Sequence, residues 1–237
     1  MPGTENPILI TGAARSGTSM VAGVIHLCGA WKGDTSGPNK NNQKGMFENH
    51  VIRQQIVKPH LMSIGADKMG QYPLPDVQNL SIPVDWHDKV VSEIKRQGYQ
   101  DEKTWMYKGA KMCLTWPIWD YAFPNAKWII VRRRTPDIIN SCLRTGFMSA
   151  FAKKGNQASV SAKNEYDGWL WWVRQHELRF SEMITAGLNC KVVWPDRMVN
   201  HDYSQIKEAI EWLGLDWDGQ KVLDFIEPKL WHARHKK

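Results

Sequence analysis

Four short stretches of the chain carry residue types that chemistry on a phosphorylated ligand would need. The first is Gly12-Ala13-Ala14-Arg15-Ser16-Gly17-Thr18-Ser19, which follows the apolar run Pro7-Ile8-Leu9-Ile10-Thr11. Small residues there let backbone N–H groups approach an anion, and a helix starting at Gly17 adds the positive end of its dipole. The spacing is that of G-x-x-x-x-G-K-[ST], except that Thr18 stands where the lysine would be. A nucleoside-triphosphate hydrolase uses that lysine on the β- and γ-phosphates. Here the cation stands three residues earlier, at Arg15, which suits a nucleotide with a single 5′-phosphate. A bare turn between strand and helix would account for the glycines, but not for turn, cation and hydroxyls together.

The second stretch is Arg132-Arg133-Arg134, at the end of the buried-type strand Lys127-Trp128-Ile129-Ile130-Val131. Ser141 lies eight positions beyond Arg133. An arginine at a strand end and a serine about two helical turns later can converge on one dianion. In extended chain Arg132 and Arg134 point away from Arg133, so the triplet is not three equal ligands. The register leaves Arg134 as the alternative. A basic run is ordinarily a solvated edge; this one follows a buried strand, as the first stretch does.

The third is Tyr107-Lys108-Gly109-Ala110-Lys111, which puts Lys108 at another strand end. The fourth, Gly45-Met46-Phe47-Glu48-Asn49-His50, offers two proton acceptors, Glu48 and His50. A glutamate near a helix start can also oppose the dipole, worth about 0.3–1 kcal/mol, and that role is compatible with catalysis. His26, on an apolar helical stretch, reads as a core residue with a satisfied ring.

Arg15-Ser16-Gly17-Thr18-Ser19 resembles the phosphate loop of the sulfotransferases that use 3′-phosphoadenosine 5′-phosphosulfate (PAPS), where an arginine or lysine precedes S-G-T-[ST]. The resemblance implies that Gly12, Ala14, Arg15, Ser16, Gly17, Thr18 and Ser19 hold the 5′ end of PAPS. It implies that Arg133 and Ser141 hold the 3′-phosphate, with Asp137 where the family often has an acid. Lys108 would stand near the bridging oxygen, although the family's Asp-Pro or Thr-Pro is Gly109-Ala110 here. Lys191 to Leu215 is similar to the family's closing strand, loop, helix and L-G-L, with Trp194-Pro195 replacing Tyr-Glu. Glu48 falls where the carbohydrate and tyrosylprotein branches carry their base, and the chain is closer to those than to the small-molecule cytosolic branch. The implied reaction is an in-line displacement at sulfur. Glu48 is the general base, Arg15 and Lys108 steady the leaving 5′-phosphate, adenosine 3′,5′-bisphosphate (PAP) is the product and no metal takes part.

The elements that would position these groups alternate along the chain, which predicts an α/β fold, a parallel sheet of P-loop type with helices on both faces. Strands are expected at 7–11, 104–107, 127–131 and 191–194. Helices are expected at 17–29, 48–62, 85–97 (with Asp85 as cap), 114–121, 136–143, 166–186 and 203–213. The proline-bearing stretch 63–85 reads as a long irregular excursion, and the polar residues 152–164 as a mobile lid. No repeat or linker divides the 237 residues, so one domain is expected.

A net charge of +7 could serve nucleic acid or a small anion. The basic residues form no stripe with interleaved aromatics, which favours the small anion over nucleic acid. Trp169, Trp171 and Trp172 predict a packed face or a pocket wall, and the scattered Cys28, Cys113, Cys142 and Cys190 predict free buried thiols. No apolar run reaches the roughly 20 residues of a membrane span, and the first residues lack a signal-peptide pattern; the expectation is a cytoplasmic protein without membrane contact. No His/Cys cluster has metal-ligand spacing. Two other readings stay open: a P-loop kinase or nucleotide hydrolase with a degenerate loop, and a non-catalytic nucleotide-binding module. The acceptor, a glycan, acidic peptide or small molecule, would meet walls from 33–45, 63–85 and 151–165, whose lysines allow an acidic acceptor.

Overall fold

A computed structural model describes residues 3–38 and 42–231; the basic tail His235-Lys236-Lys237 lies outside them. Four strands, β1 (Ile8–Thr11), β2 (Met106–Lys108), β3 (Lys127–Val131) and β4 (Cys190–Val193), form one sheet in the order β2-β1-β3-β4. All pairings are parallel, with Ile10 opposite Lys108 and Ile129, and Val131 opposite Val193. The strands are short; β1, β2 and β3 are almost wholly buried, as parallel strands covered on both faces must be, while the edge strand β4 is half-buried up to Val193.

Among the described residues ten α-helices surround the sheet: α1 (Thr18–Leu27), α2 (Lys58–Ser63), α3 (Trp86–Arg96), α4 (Trp116–Ala122), α5 (Thr135–Arg144), α6 (Lys154–Ser159), α7 (Glu165–Thr185), α8 (Pro195–Val199), α9 (Ser204–Leu213) and α10 (Gly219–Phe225). Alternation along the strands divides the core. Ile8, Ile10, Ile129 and Val131 pack with Val21, Val24 and Ile25 of α1, Ile206 and Ile210 of α9 and Val222 of α10. Leu9, Trp128 and Ile130 face the other way, onto Val90 and Ile94 of α3, Trp119 of α4 and Phe180 of α7. Trp169 and Trp172 form a third cluster with Phe151, Ile138 and Cys142, while Trp171 is only partly buried beside it. The cysteines are free thiols, buried except for the half-buried Cys190.

Several elements depart from the sequence-based expectation. The helix expected over 48–62 begins after Glu48, at position 50, winds as a π-helix over Ile52–Val57 and becomes α-helical at Lys58. Pro59 lies where the π-helical turn passes without a break into α2, so its missing N–H takes one bond out of that continuous run. Asp85 precedes α3, but its carboxylate pairs with Lys89 at 2.8 Å and makes no cap. Residues 152–164, read as a mobile lid, contain a helix at Lys154–Ser159, and Asn156 and Gln157 donate to the carbonyls of Ala150 and Phe151 at 2.8 and 2.7 Å. His26 is only half-buried, with Nδ1 2.9 Å from the Ala30 carbonyl. Helices α8 and α10 were unexpected; both are short segments with weak periodicity. Among the described residues, no helix is long and apolar enough to cross a membrane.

Candidate active site

A cavity of about 650 Å³ opens where the loops after β1, β2 and β3 meet. The strand order places the loop after β1 in the middle, flanked by the end of β2, which carries Lys108, and the turn after β3, which carries Arg133. Ala14, Arg15, Gly17, Thr18, Ser19, Glu48, His50, Lys108, Arg133 and Ser141 all line this one cavity. Gly12 and Ser16 do not. A Cβ on Gly12 would stand 2.4 Å from the Val131 carbonyl, so glycine is needed there for the loop to cross β3 closely. The Ser16 hydroxyl is sealed beneath the loop without a partner.

Two residues of the loop have left-handed backbone, Arg15 at φ 73° and Gly17 at φ 97°. For arginine this conformation is uncommon. What holds it is Arg133, whose Nη1 donates to the Arg15 carbonyl at 2.9 Å. Arg15 in turn donates from Nε to the Ser141 hydroxyl at 2.9 Å, and its guanidinium lies 6.0 Å from the centre of the Phe147 ring. Both expected anchors are therefore cross-linked. The guanidinium expected on the 5′-phosphate instead stands between the loop and the α5 anchor. Burial holds both Arg15 and Arg133 below the usual arginine range.

The triplet after β3 resolves in favour of Arg133 as the cavity residue. Arg132 pairs with Glu177 and stacks 5.1 Å from the Trp194 ring centre, and Arg134 pairs with Asp137 at 2.8 Å. Arg133 is buried, and among the described residues its Nε and Nη2 find no hydrogen-bond acceptor. Such a fork is a ready anion site. Its face is covered by Trp231, whose ring centre is 4.0 Å from the guanidinium carbon. Trp231 donates from Nε1 to Asp196 at 3.0 Å and crowds Gly17, where an added Cβ would meet the indole at 2.9 Å.

Glu48 and Lys108 are both buried on the opposite side of the loop. The Glu48 carboxylate lies 3.4 Å from Arg53 Nη1 and 3.6 Å from Lys111 Nζ, and its Oε1 accepts no hydrogen bond. Burial works to raise the Glu48 pKa, but Lys111, Lys108 and Arg53 outweigh it and hold the group below the ordinary glutamate value. It is thus a carboxylate at neutral pH. Lys108 moves down as well: burial disfavours its charge, and Lys111 and Arg53 add to that against the pull of Glu48. Thr11 pins the segment after β2 by donating to the Gly109 carbonyl at 3.2 Å and accepting from the Cys113 N–H at 3.1 Å.

Sequence reasoning gave no role to Lys111, Arg53 or Trp231. Lys111 follows Lys108 within the same motif, and Arg53 sits on the π-helical turn after Glu48, so a search for cations near the base could have found both. Nothing in the sequence marked Trp231. The walls differ too: residues 36, 42–44, 69 and 71 line the cavity, but 151–165 contribute nothing, and Phe147 and Met148 take that place.

No protein-family model matches the chain, and no curated protein matches its sequence. Solved structures do match its fold. It is similar to a sulfotransferase from Alicyclobacillus acidocaldarius (TM-score 0.55, 16% identity, covering 95% of this chain and 87% of that one). It is similar to the sulfotransferase domain of the Synechococcus PCC 7002 olefin synthase (TM-score 0.54, 16% identity, 98% and 81%). A sulfotransferase domain from the curacin biosynthetic pathway gives TM-score 0.52 at 15% identity, covering 100% of this chain and 79% of that one. The fold is that of the sulfotransferases.

Proposed function

We propose that this chain, built on the sulfotransferase fold, transfers a sulfuryl group from PAPS to a hydroxyl or amine of an acceptor. The observation that carries the proposal is the convergence of Arg15, Arg133 and Ser141 on one cavity that also holds a buried carboxylate and a buried lysine. An anion with charge at two ends of one nucleoside fits cations placed on either side of a phosphate loop.

Arg133, with two unpaired guanidinium nitrogens beside Ser141, holds the 3′-phosphate. The N–H groups of the first turn of α1, the hydroxyl of Thr18 and Lys108 hold the 5′ end, while the Ser19 hydroxyl donates to the Met46 carbonyl at 3.2 Å. Arg15 bridges the two sets through its bond to Ser141. Glu48 takes the proton from the acceptor as the acceptor oxygen or nitrogen bonds to sulfur. The bond from sulfur to the 5′-phosphate oxygen breaks, and Lys108 neutralises the charge that appears there. Glu48 is preferred to the exposed His50 because it is fixed among cations next to Lys108 and is already deprotonated at neutral pH.

Calorimetry with PAP against ATP·Mg tests the donor assignment; tighter binding of ATP·Mg would replace it with the kinase reading. Glu48→Gln tests the base. It should bind PAP within about threefold of wild type and lose about 10²–10⁴-fold in turnover. Unchanged turnover rejects the assignment. PAP binding without transfer to any acceptor would leave the non-catalytic binding module.

A further inference from the structure

Among the described residues, two carboxylates, Glu48 and Glu227, stand against six cations in the cavity. Glu227 is taken by Lys44 and Lys229. Glu48 is left to answer Arg53, Lys108 and Lys111 alone, so its end of the cavity carries a net positive charge. The match is also loose. Arg53 Nη1 and Lys111 Nζ stand 3.4 and 3.6 Å from the carboxylate, beyond the roughly 2.7–2.9 Å of a close charge-assisted hydrogen bond. Glu48 Oε1 and Arg53 Nε are buried and find no hydrogen-bond partner among the described residues. An excess of buried charge of one sign is costly unless an opposite charge joins it.

The helix after Glu48 adds to that excess. Over Ile52–Val57 it is wound as a π-helix, and the Lys58 N–H donates to the Arg53 carbonyl. Five positions make about 140° round an α-helix but about one turn of a π-helix, so the wider winding keeps Lys58 on the side of Arg53. The Lys58 ammonium donates to Gln54 Oε1 at 2.8 Å, and Gln54 lines the cavity. Burial, then Arg53 and Lys111, hold Lys58 below the ordinary lysine value in spite of Glu48. Like charges about one turn apart oppose each other unless something negative lies near both.

Resting on the sulfotransferase reading, we propose that the acceptor carries an anionic group of its own, a carboxylate or a sulfate, a few bonds from the hydroxyl or amine that is modified, and that Arg53 and Lys111, backed by Lys58, hold it. Lys108 is drawn to the 5′ end of the donor, which leaves Arg53 and Lys111 for the acceptor. The proton matters as well. When Glu48 takes it from the acceptor, its charge is lost, and Arg53 and Lys111 lose their partner. The acceptor's anion then takes that place, so it aids the reaction step as well as binding.

The test uses pairs that differ mainly in charge, assayed with radiolabelled PAPS: 3-hydroxybutanoate against its amide, methyl glucuronide against methyl glucoside, and N-acetylglucosamine 6-sulfate against N-acetylglucosamine. In at least one pair the anionic member should exceed its partner in kcat/KM by about tenfold or more. Success in the first two pairs marks a carboxylate, in the third a sulfate. Arg53→Gln and Lys111→Gln should each bring the ratio within that pair down to about threefold or less, and Lys111→Arg should keep it. A merely structural role would lower both members together and leave the ratio in place. No anionic preference in any pair, or a ratio that survives both glutamine substitutions, overturns the inference. Where no pair turns over, calorimetry into the PAP complex reads the same ratio as Kd. Failure of every anionic member to bind more tightly than its partner there also overturns it. PAP titration on the same preparation separates the failures. With PAP bound, only the acceptor assignment falls; without PAP binding, the donor reading falls first and takes it along.

Discussion

Glu48 and Lys108 are each meaningful only through the other. A buried carboxylate alone would take up a proton and a buried lysine would lose one. Together with Lys111 and Arg53 they keep Glu48 ionised, so as the proposed base it would be available down to acid pH. Lys108 sets the other limit. Its pKa lies below the ordinary lysine value, so its charge is present at low pH and disappears as pH rises through that lowered value. Measured with an aliphatic alcohol, which does not itself titrate, kcat/KM should fall on the alkaline side earlier than a free lysine would allow. Lys108→Arg, which stays charged, should lower the maximum and move that alkaline limb upward. A limb at the same pH in both proteins would assign it to another group.

At the scale of elements, the chain after α10 closes the Arg133 end of the cavity. Ion pairing of Glu227 with Lys44, and Trp231 stacked on Arg133, bring the last described residues over the loop that follows β1. The indole fixes the guanidinium from one face while the Arg15 carbonyl fixes it in its plane. Trp231→Ala should weaken PAP binding about tenfold, in line with about 0.5–2 kcal/mol for a desolvated cation–π pair. Trp231→Phe should recover part of that loss in the same titration. Tighter PAP binding by Trp231→Ala would mean that the ring obstructs the site.

For the molecule as a whole, a ligand that ties the ends of three strands to two helices binds only the folded chain. PAP at 100 times its Kd should add about 2.7 kcal/mol of stability. For a domain of this size that is a rise in Tm of about 5–10 °C by differential scanning calorimetry. The same concentration of ATP·Mg should give a clearly smaller rise, and an equal or larger one would contradict PAPS as the donor. The sheet order explains why one ligand reaches so far: β1 lies between β2 and β3, so the groups that follow all three open on the same edge.

What was legible in the sequence was local. The four strands, the glycine turn after β1, the Arg133–Ser141 spacing and the outward turn of Arg132 and Arg134 follow from alternation and helical pitch within a few residues. Tertiary structure decided what depends on chain brought together from afar. Arg15 meets Ser141 across 126 positions, Gln71 holds Phe147 across 76, and Trp231 reaches Arg133 from the far end of the described chain. Periodicity within a segment reports which face is buried, but not which distant side chain covers it. For that reason the glycine turn after β1 could be read in advance, whereas the cations around Glu48 could not.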